Sequence, residues 1–191
     1  VGQLRDDLEI LAAHHRPVGS QGEADAVRYL RDRFEEMGYS VTLQPYTDGQ
    51  GRTGHNVAAV KAASVPDADI LVLSAHHDSV PTAYGANDNA SGVAALLYTA
   101  EALRNVPTDT EVRFLSFTDE ENGKNGSRTY TASLTEEERT RIVGAIQSDM
   151  LGGLGSTGTL VCTVDGEANW VSDLLQTQAP GLERRAETAS D

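Results

Sequence analysis

The chain has 191 residues, enough for one ordinary domain with a substantial core and short for two independent ones. Its composition, 39% apolar, 5% aromatic and 23% charged, is that of a soluble globular protein, and no apolar run approaches the roughly 18 to 20 residues needed to span a bilayer. A formal charge of −14, from 29 acidic against 15 basic residues, argues against binding a phosphate backbone, so nucleic acid is not an expected partner; it favours metal cations and amino groups instead.

The opening VGQLRDDLEI has neither a positive start nor an apolar run, so no signal peptide is visible in it. Leu4, Leu8 and Leu11 recur at helical spacing and predict an amphipathic helix that stops at HHRPVGS. Ser20 and Glu23 stand at capping-box spacing before a second helix, whose stripe Val27, Leu30, Phe34 and Met37 ends near Gly38. The period then shortens: SVTLQPY, NVAAV and DADILVLSA read as strands, the last apolar enough to be covered on both faces.

A glycine- and asparagine-rich loop leads into a helix carrying Val93, Leu96, Leu97, Ala100 and Leu103. Next come a strand at about Thr110 to Phe117, a helix opened by Thr135 and Glu138, and a strand near Ile142 to Gln147. The tail predicts a strand, GTLVCTV, and a helix from about Asn169 to Gln178. Cys162, the sole cysteine, excludes an internal disulfide and is expected as a buried structural thiol. With no linker or repeat, this alternation predicts a single domain over 1–191, a three-layer α/β/α sandwich around a mixed, largely parallel sheet.

Three predicted strands end in polar groups: AHHD, TDEE and SDM. Open α/β sheets place ligand sites outside the carboxyl ends of their strands, so His76, Glu120, Glu121 and Asp149 can gather in one crevice. Imidazole and carboxylates are the set that zinc uses to activate water. His76 and Asp78 share one side of an extended chain, so Asp78 can orient the ring of His76. Asp88, in YGANDNASG, is the candidate to bridge two cations. Of Glu120 and Glu121, one can bind metal while its neighbour takes a proton from the attacking water.

The segments SAHHDSV, GANDNASGVAALL, FTDEENGKNGS and QSDMLG, with HRPVGS ahead of them, resemble bacterial leucyl aminopeptidases of the aminopeptidase Y type over about Leu4 to Gly152. These are co-catalytic zinc exopeptidases. The resemblance implies a peptide amino terminus as substrate and two zinc ions: His76 and Asp149 on one, Glu121 on the other, Asp88 bridging. It further implies Glu120 as general base toward a metal-bridging water and Asp78 as the group that holds His76. It also implies a secreted or cell-envelope location. Zinc is the expected metal, although carboxylate-rich sites also accept manganese or cobalt.

One departure stands out. The family has a fifth ligand, a late histidine commonly after a Ser-Asp pair, whereas this sequence has no histidine beyond His77 and stops at Ala189, Ser190, Asp191. The expectation is therefore a truncated enzyme, with its second metal site incomplete and its activity impaired as written. Two other readings compete: a single-zinc glutaminyl-cyclase-like enzyme, and a non-catalytic peptide- or metal-binding domain with a degenerate site.

Blander roles are expected elsewhere. His77 should face away from the ligands, His14, His15 and His55 should be structural, Asp119 either a support behind the Glu pair or a solvated acid, Glu136 to Arg139 an exposed helix start, and Trp170 part of a core. The sequence leaves residue preference and oligomeric state open.

Overall fold

A computed structural model describes residues 2–152, 159–163 and 165–186. The chain divides into two compact units, Val1–Met150 and Leu151–Asp191.

In the first unit, α1 (Gly2–Leu11) turns one face inward, where buried Asp7 accepts hydrogen bonds from Tyr29 and Arg33 of α2 (Gln21–Glu36). The Ser20 hydroxyl caps α2 by accepting from the Glu23 amide, as its spacing predicts, and Gly38 leaves the helix at φ +88°. The hairpin β1 (Ser40–Thr47) and β2 (Thr53–Lys61) follows, then β3 (Ile70–His76), a wide turn Ala86–Ser91, α3 (Gly92–Leu103), β4 (Glu111–Phe117), α4 (Asn125–Ser133), α5 (Glu136–Arg141) and β5 (Ile142–Gln147).

The sheet order is β1-β2-β4-β3-β5; β3 runs parallel to β4 and β5, while β2 is antiparallel to β1 and β4. Strand alternation sorts its side chains into two cores. Val57, Ala59, Ala75, Val112 and Phe114 pack with Leu11, Leu30, Phe34, Val93 and Leu97 from the first three helices. Residues of the opposite parity, Ile70, Val72, Leu115 and Phe117, pack with Tyr130 of α4 and with Ile142. The result is the expected mixed sheet with helices on both faces. Leu30 is wholly buried, and truncating such a side chain to alanine typically costs about 2–5 kcal/mol.

The sequence reading omits α4. Its residues, NGSRTYTAS, carry no apolar stripe and bury only Gly126. α5 opens with the expected capping box between Thr135 and Glu138, and Glu138 also pairs with Arg113 at 2.8 Å.

The second unit pairs β6 (Leu160–Thr163) in parallel with β7 (Glu183–Ala186), with α6 (Trp170–Gln178) between them in sequence and capped by Asn169. Gly158 and Val164 of the expected strand, like Ala189 to Asp191, lie outside the described residues. Two expectations based on residue type are corrected here. Cys162 is exposed, because Leu160 and Cys162 share the open face of β6, and Trp170 is 53% exposed at the first position of α6. β7 was not anticipated, because ERRA has no alternating apolar pattern. Among the described residues no helix is long and apolar enough to cross a membrane.

Candidate metal centre

The parallel register sets His76 beside Phe117 and Ser74 beside Gln147, so β3 and β4 end level with each other and β5 two residues before them, all at the same edge of the sheet. His76 belongs to the parity of Ile70 and Val72, and its buried ring emerges where the three strand ends meet. Its Nε2 lies 3.2 Å from Asp88 Oδ1 and 3.5 Å from Asp149 Oδ2. Among the described residues, His76, Asp88 and Asp149 form a group able to hold a metal ion, one ligand atom of each lying within 4.8 Å of the others. Buried imidazole with two partly open carboxylates is a donor set that suits a catalytic zinc, which keeps a position free for water or substrate.

Asp78 is buried behind this group. Its Oδ1 stands 3.3 Å from His76 Nδ1, and its two oxygens accept from the amides of Glu120 (3.1 Å) and Glu121 (3.2 Å). One carboxylate therefore directs the ring of His76 and fixes the start of the Glu120–Glu121 segment. Glu120 Oε2 lies 3.9 Å from His76 Nε2, at the rim of the three-donor group. Glu121 is held differently, with Oε1 accepting from the amide of Val80 at 3.1 Å.

The charges are crowded. Burial alone would lower the pKa of His76, but the carboxylates of Asp149, Asp78 and Asp88 outweigh it and push it up to about 12. Burial also raises Glu120, with Asp78 and Asp149 adding to the rise and His76 opposing it. Burial and the charge of Asp88 push Glu121 up to about 7. Acids that raise one another in this way around a single ring favour a cation, which agrees with the donor set.

Several supports were not read from the sequence. Asn89 is fully buried: its amide nitrogen donates to Ser148 O at 2.9 Å, while its oxygen accepts from the amides of Gly92 (2.9 Å) and Met150 (3.3 Å). It ties the turn that carries Asp88 to the segment that carries Asp149. The Asp88–Asn89 peptide bond is cis. At Gly92 a methyl group would overlap the Ser148 carbonyl, so only glycine lets α3 start this close. Arg16, 1% exposed, directs its guanidinium at backbone carbonyls beside the site, and burial lowers its pKa to about 10 despite Asp78, Asp88 and Glu121.

His77 faces the other way, as expected, into a sealed pocket. Its Nδ1 is 3.0 Å from Ser116 Oγ, and Nε2 is 3.7 Å from Glu23 Oε1. Glu23 does not close a reciprocal capping box. Its side chain turns inward to accept from Thr118 Oγ1 (2.5 Å), Gly19 N (2.8 Å) and His55 N (3.3 Å). Burial would raise the pKa of Glu23, yet His77, Thr118 and the Gly19 amide hold it below the ordinary value. A methyl group at Gly54 would collide with Glu23 Oε1 and Thr118 Oγ1. Asp119, left open between a support behind the Glu pair and a solvated acid, is 1% exposed and accepts from Asn122 (2.6 Å) and Asn125 (2.8 Å), so it is no solvated acid and shapes the loop after β4.

Comparison with known proteins agrees with this picture. The chain is 37% identical over 143 residues to aminopeptidase YwaD of Bacillus subtilis (strain 168), covering 73% of the chain and 31% of that protein. It is 34% identical over 151 residues to leupeptin-inactivating enzyme 1 of Streptomyces exfoliatus, covering 76% of the chain and 34% of that protein. The chain thus spans about a third of the length of the curated relatives it matches. Its fold matches that of BSAP, a zinc aminopeptidase from Bacillus subtilis, with a TM-score of 0.92 at 18% identity, over 97% of this chain and 79% of that one. The model of Peptidase family M28 matches residues 56–188, well over half the sequence and inclusive of every ligand candidate, and the chain belongs to that family.

Proposed function

We propose that the chain carries the metal-binding core of a zinc-dependent aminopeptidase that hydrolyses the amino-terminal bond of peptides. The observation that carries this reading is the convergence of His76, Asp88 and Asp149, with Glu120 at the rim, in a member of a peptidase family. On this reading those three residues hold one zinc, and Asp88 with Glu121 faces a second, whose donor set in this sequence lacks a late histidine. Zinc bound there supplies a Lewis acid that acidifies water and polarises a peptide carbonyl.

The remaining steps belong to the chain's own residues. Asp78 accepts a hydrogen bond from the Nδ1–H of His76 and so leaves the Nε2 lone pair facing the donor group. Glu120, half-buried and with a raised pKa, takes the proton of the attacking water and returns it to the departing amine. The open carboxylates of Asp88 and Asp149 leave room for a substrate carbonyl, and the acidic surroundings favour a protonated amino terminus.

The test combines zinc content with hydrolysis of amino-acid p-nitroanilides, in the wild type and in Glu120→Gln. The variant should keep its zinc and lose about a hundredfold or more in turnover. Unchanged turnover would remove Glu120 from the mechanism. Cyclisation of an amino-terminal glutamine without peptide hydrolysis would favour the single-zinc cyclase, and binding of zinc and peptide without either reaction would favour a binding domain.

A further inference from the structure

Among the described residues Arg16 is the largest fully buried side chain, and no carboxylate lies within ion-pair distance of it, although the charges of Asp78, Asp88 and Glu121 are near. Its Nε donates to His77 O at 2.6 Å, Nη1 to Leu11 O, His14 O (3.2 Å) and Tyr84 O (2.7 Å), and Nη2 to Gly85 O at 3.0 Å. Its own backbone is tied to Ser79: the Arg16 amide donates to Ser79 Oγ at 3.0 Å, and the Ser79 amide donates to Arg16 O at 3.2 Å.

These partners are not scattered. His77 and Ser79 flank Asp78 directly after His76, whereas Tyr84 and Gly85 immediately precede the turn that carries Asp88. Between them the chain makes an excursion that neither sheet nor helix regularises. The guanidinium closes that excursion like a staple, one edge on the exit of β3 and the other on the approach to Asp88. Gly85 takes the left-handed conformation at φ +60°, and a methyl group there would crowd both Arg16 Nη2 at 2.7 Å and Asp88 O at 2.5 Å. A buried cation without a paired carboxylate is costly, and a position that only had to fill space would be served better by an apolar side chain. A planar fork of donors suits several fixed carbonyls at once, and lysine, with three donors at a single point, cannot reproduce it.

We infer that Arg16 is a positioning residue, which sets the separation of Asp88 from His76 by clamping the carbonyls of His77, Tyr84 and Gly85, and thereby sets zinc affinity. The inference rests on the reading of His76, Asp88 and Asp149 as zinc ligands. Loss of an outer partner that orients ligands typically weakens metal affinity by about 10–100-fold. A residue that merely stabilised the fold would lower the melting temperature and leave the zinc affinity of the folded protein where it was.

The experiment is a zinc titration of the full chain against a chromophoric chelator, with melting temperatures measured alongside. The proteins are wild type, His76→Ala, Arg16→Lys and Arg16→Ala. The expected result is zinc binding that His76→Ala abolishes, and folded Arg16 variants whose zinc affinity is lower by about 10–100-fold. Millimolar guanidinium should restore part of the affinity of Arg16→Ala, and ammonium should not. Wild-type zinc affinity in a folded Arg16→Lys or Arg16→Ala protein overturns the inference and leaves the site reading standing. A wild type that binds no zinc, or zinc that His76→Ala does not remove, overturns both. If neither Arg16 variant folds, Ser79→Ala decides: it deletes the acceptor of the Arg16 amide, and an unchanged zinc affinity in that variant overturns the clamp.

Discussion

His76 and His77 are chemically identical neighbours, both buried, yet they serve opposite sides of the sheet. His76 meets open carboxylates from the turn after β3 and the end of β5, with Glu120 close by. His77 meets Ser116 and Glu23 in a closed polar pocket beneath α2. One side keeps room for an outside ligand, whereas on the other the ring is closed in, with Nδ1 paired to Ser116 and Nε2 facing Glu23 at 3.7 Å without a hydrogen bond. Strand parity decides between these roles, and the surroundings that each face supplies convert parity into chemistry.

The sharpest way to break this comparison is to remove each ring in turn. His76→Ala should weaken zinc binding well beyond the 10–100-fold loss typical of an outer partner, whereas His77→Ala should lower the melting temperature and leave zinc affinity nearly unchanged. Equal losses of zinc in the two folded variants would show that the faces are not separate. Next in size is Glu23→Ala, which strands the donors of Gly19, His55 and Thr118. Denaturant unfolding should show a loss of about 3 kcal/mol or more.

Asn89→Ala should have a smaller effect, confined to the open side. It unties Asp88 from the Asp149 segment, and zinc titration should report about a tenfold weaker affinity. The smallest effect is expected outside both clusters: Cys162→Ser, at an exposed position, should change unfolding free energy by no more than about 0.5 kcal/mol.

The strand ends were legible because period-two patterning and the polar residues after it both leave local traces. AHHD, TDEE and SDM could be placed at one edge of a sheet before any contact was known. What holds them there was not legible in the same way. Glu23 read as a capping residue, and the local pattern was correct for its backbone amide. Its side chain, however, answers to Thr118, 95 positions away. Arg16 and Asn89 likewise act through backbone groups 59 to 69 positions distant, and backbone acceptors leave no signature in a sequence. Cys162 and Trp170 show the converse error, in which residue type stood in for surroundings: thiols and indoles are usually covered, but the open face of β6 and the start of α6 leave these two in solvent.

The crowded glycines bear on how this protein could vary. Gly54, Gly85 and Gly92 carry no group that could touch metal, proton or substrate, yet each stands where a single added methyl would press on Glu23, on Arg16 or on the Ser148 carbonyl. A mutational library ranked by activity alone would therefore return these three beside His76 and Asp149 as equally intolerant. Ranking the same library by abundance as well would separate the two kinds: substitutions at the proposed ligands should leave a folded, silent protein, while substitutions at these glycines should deplete the protein itself.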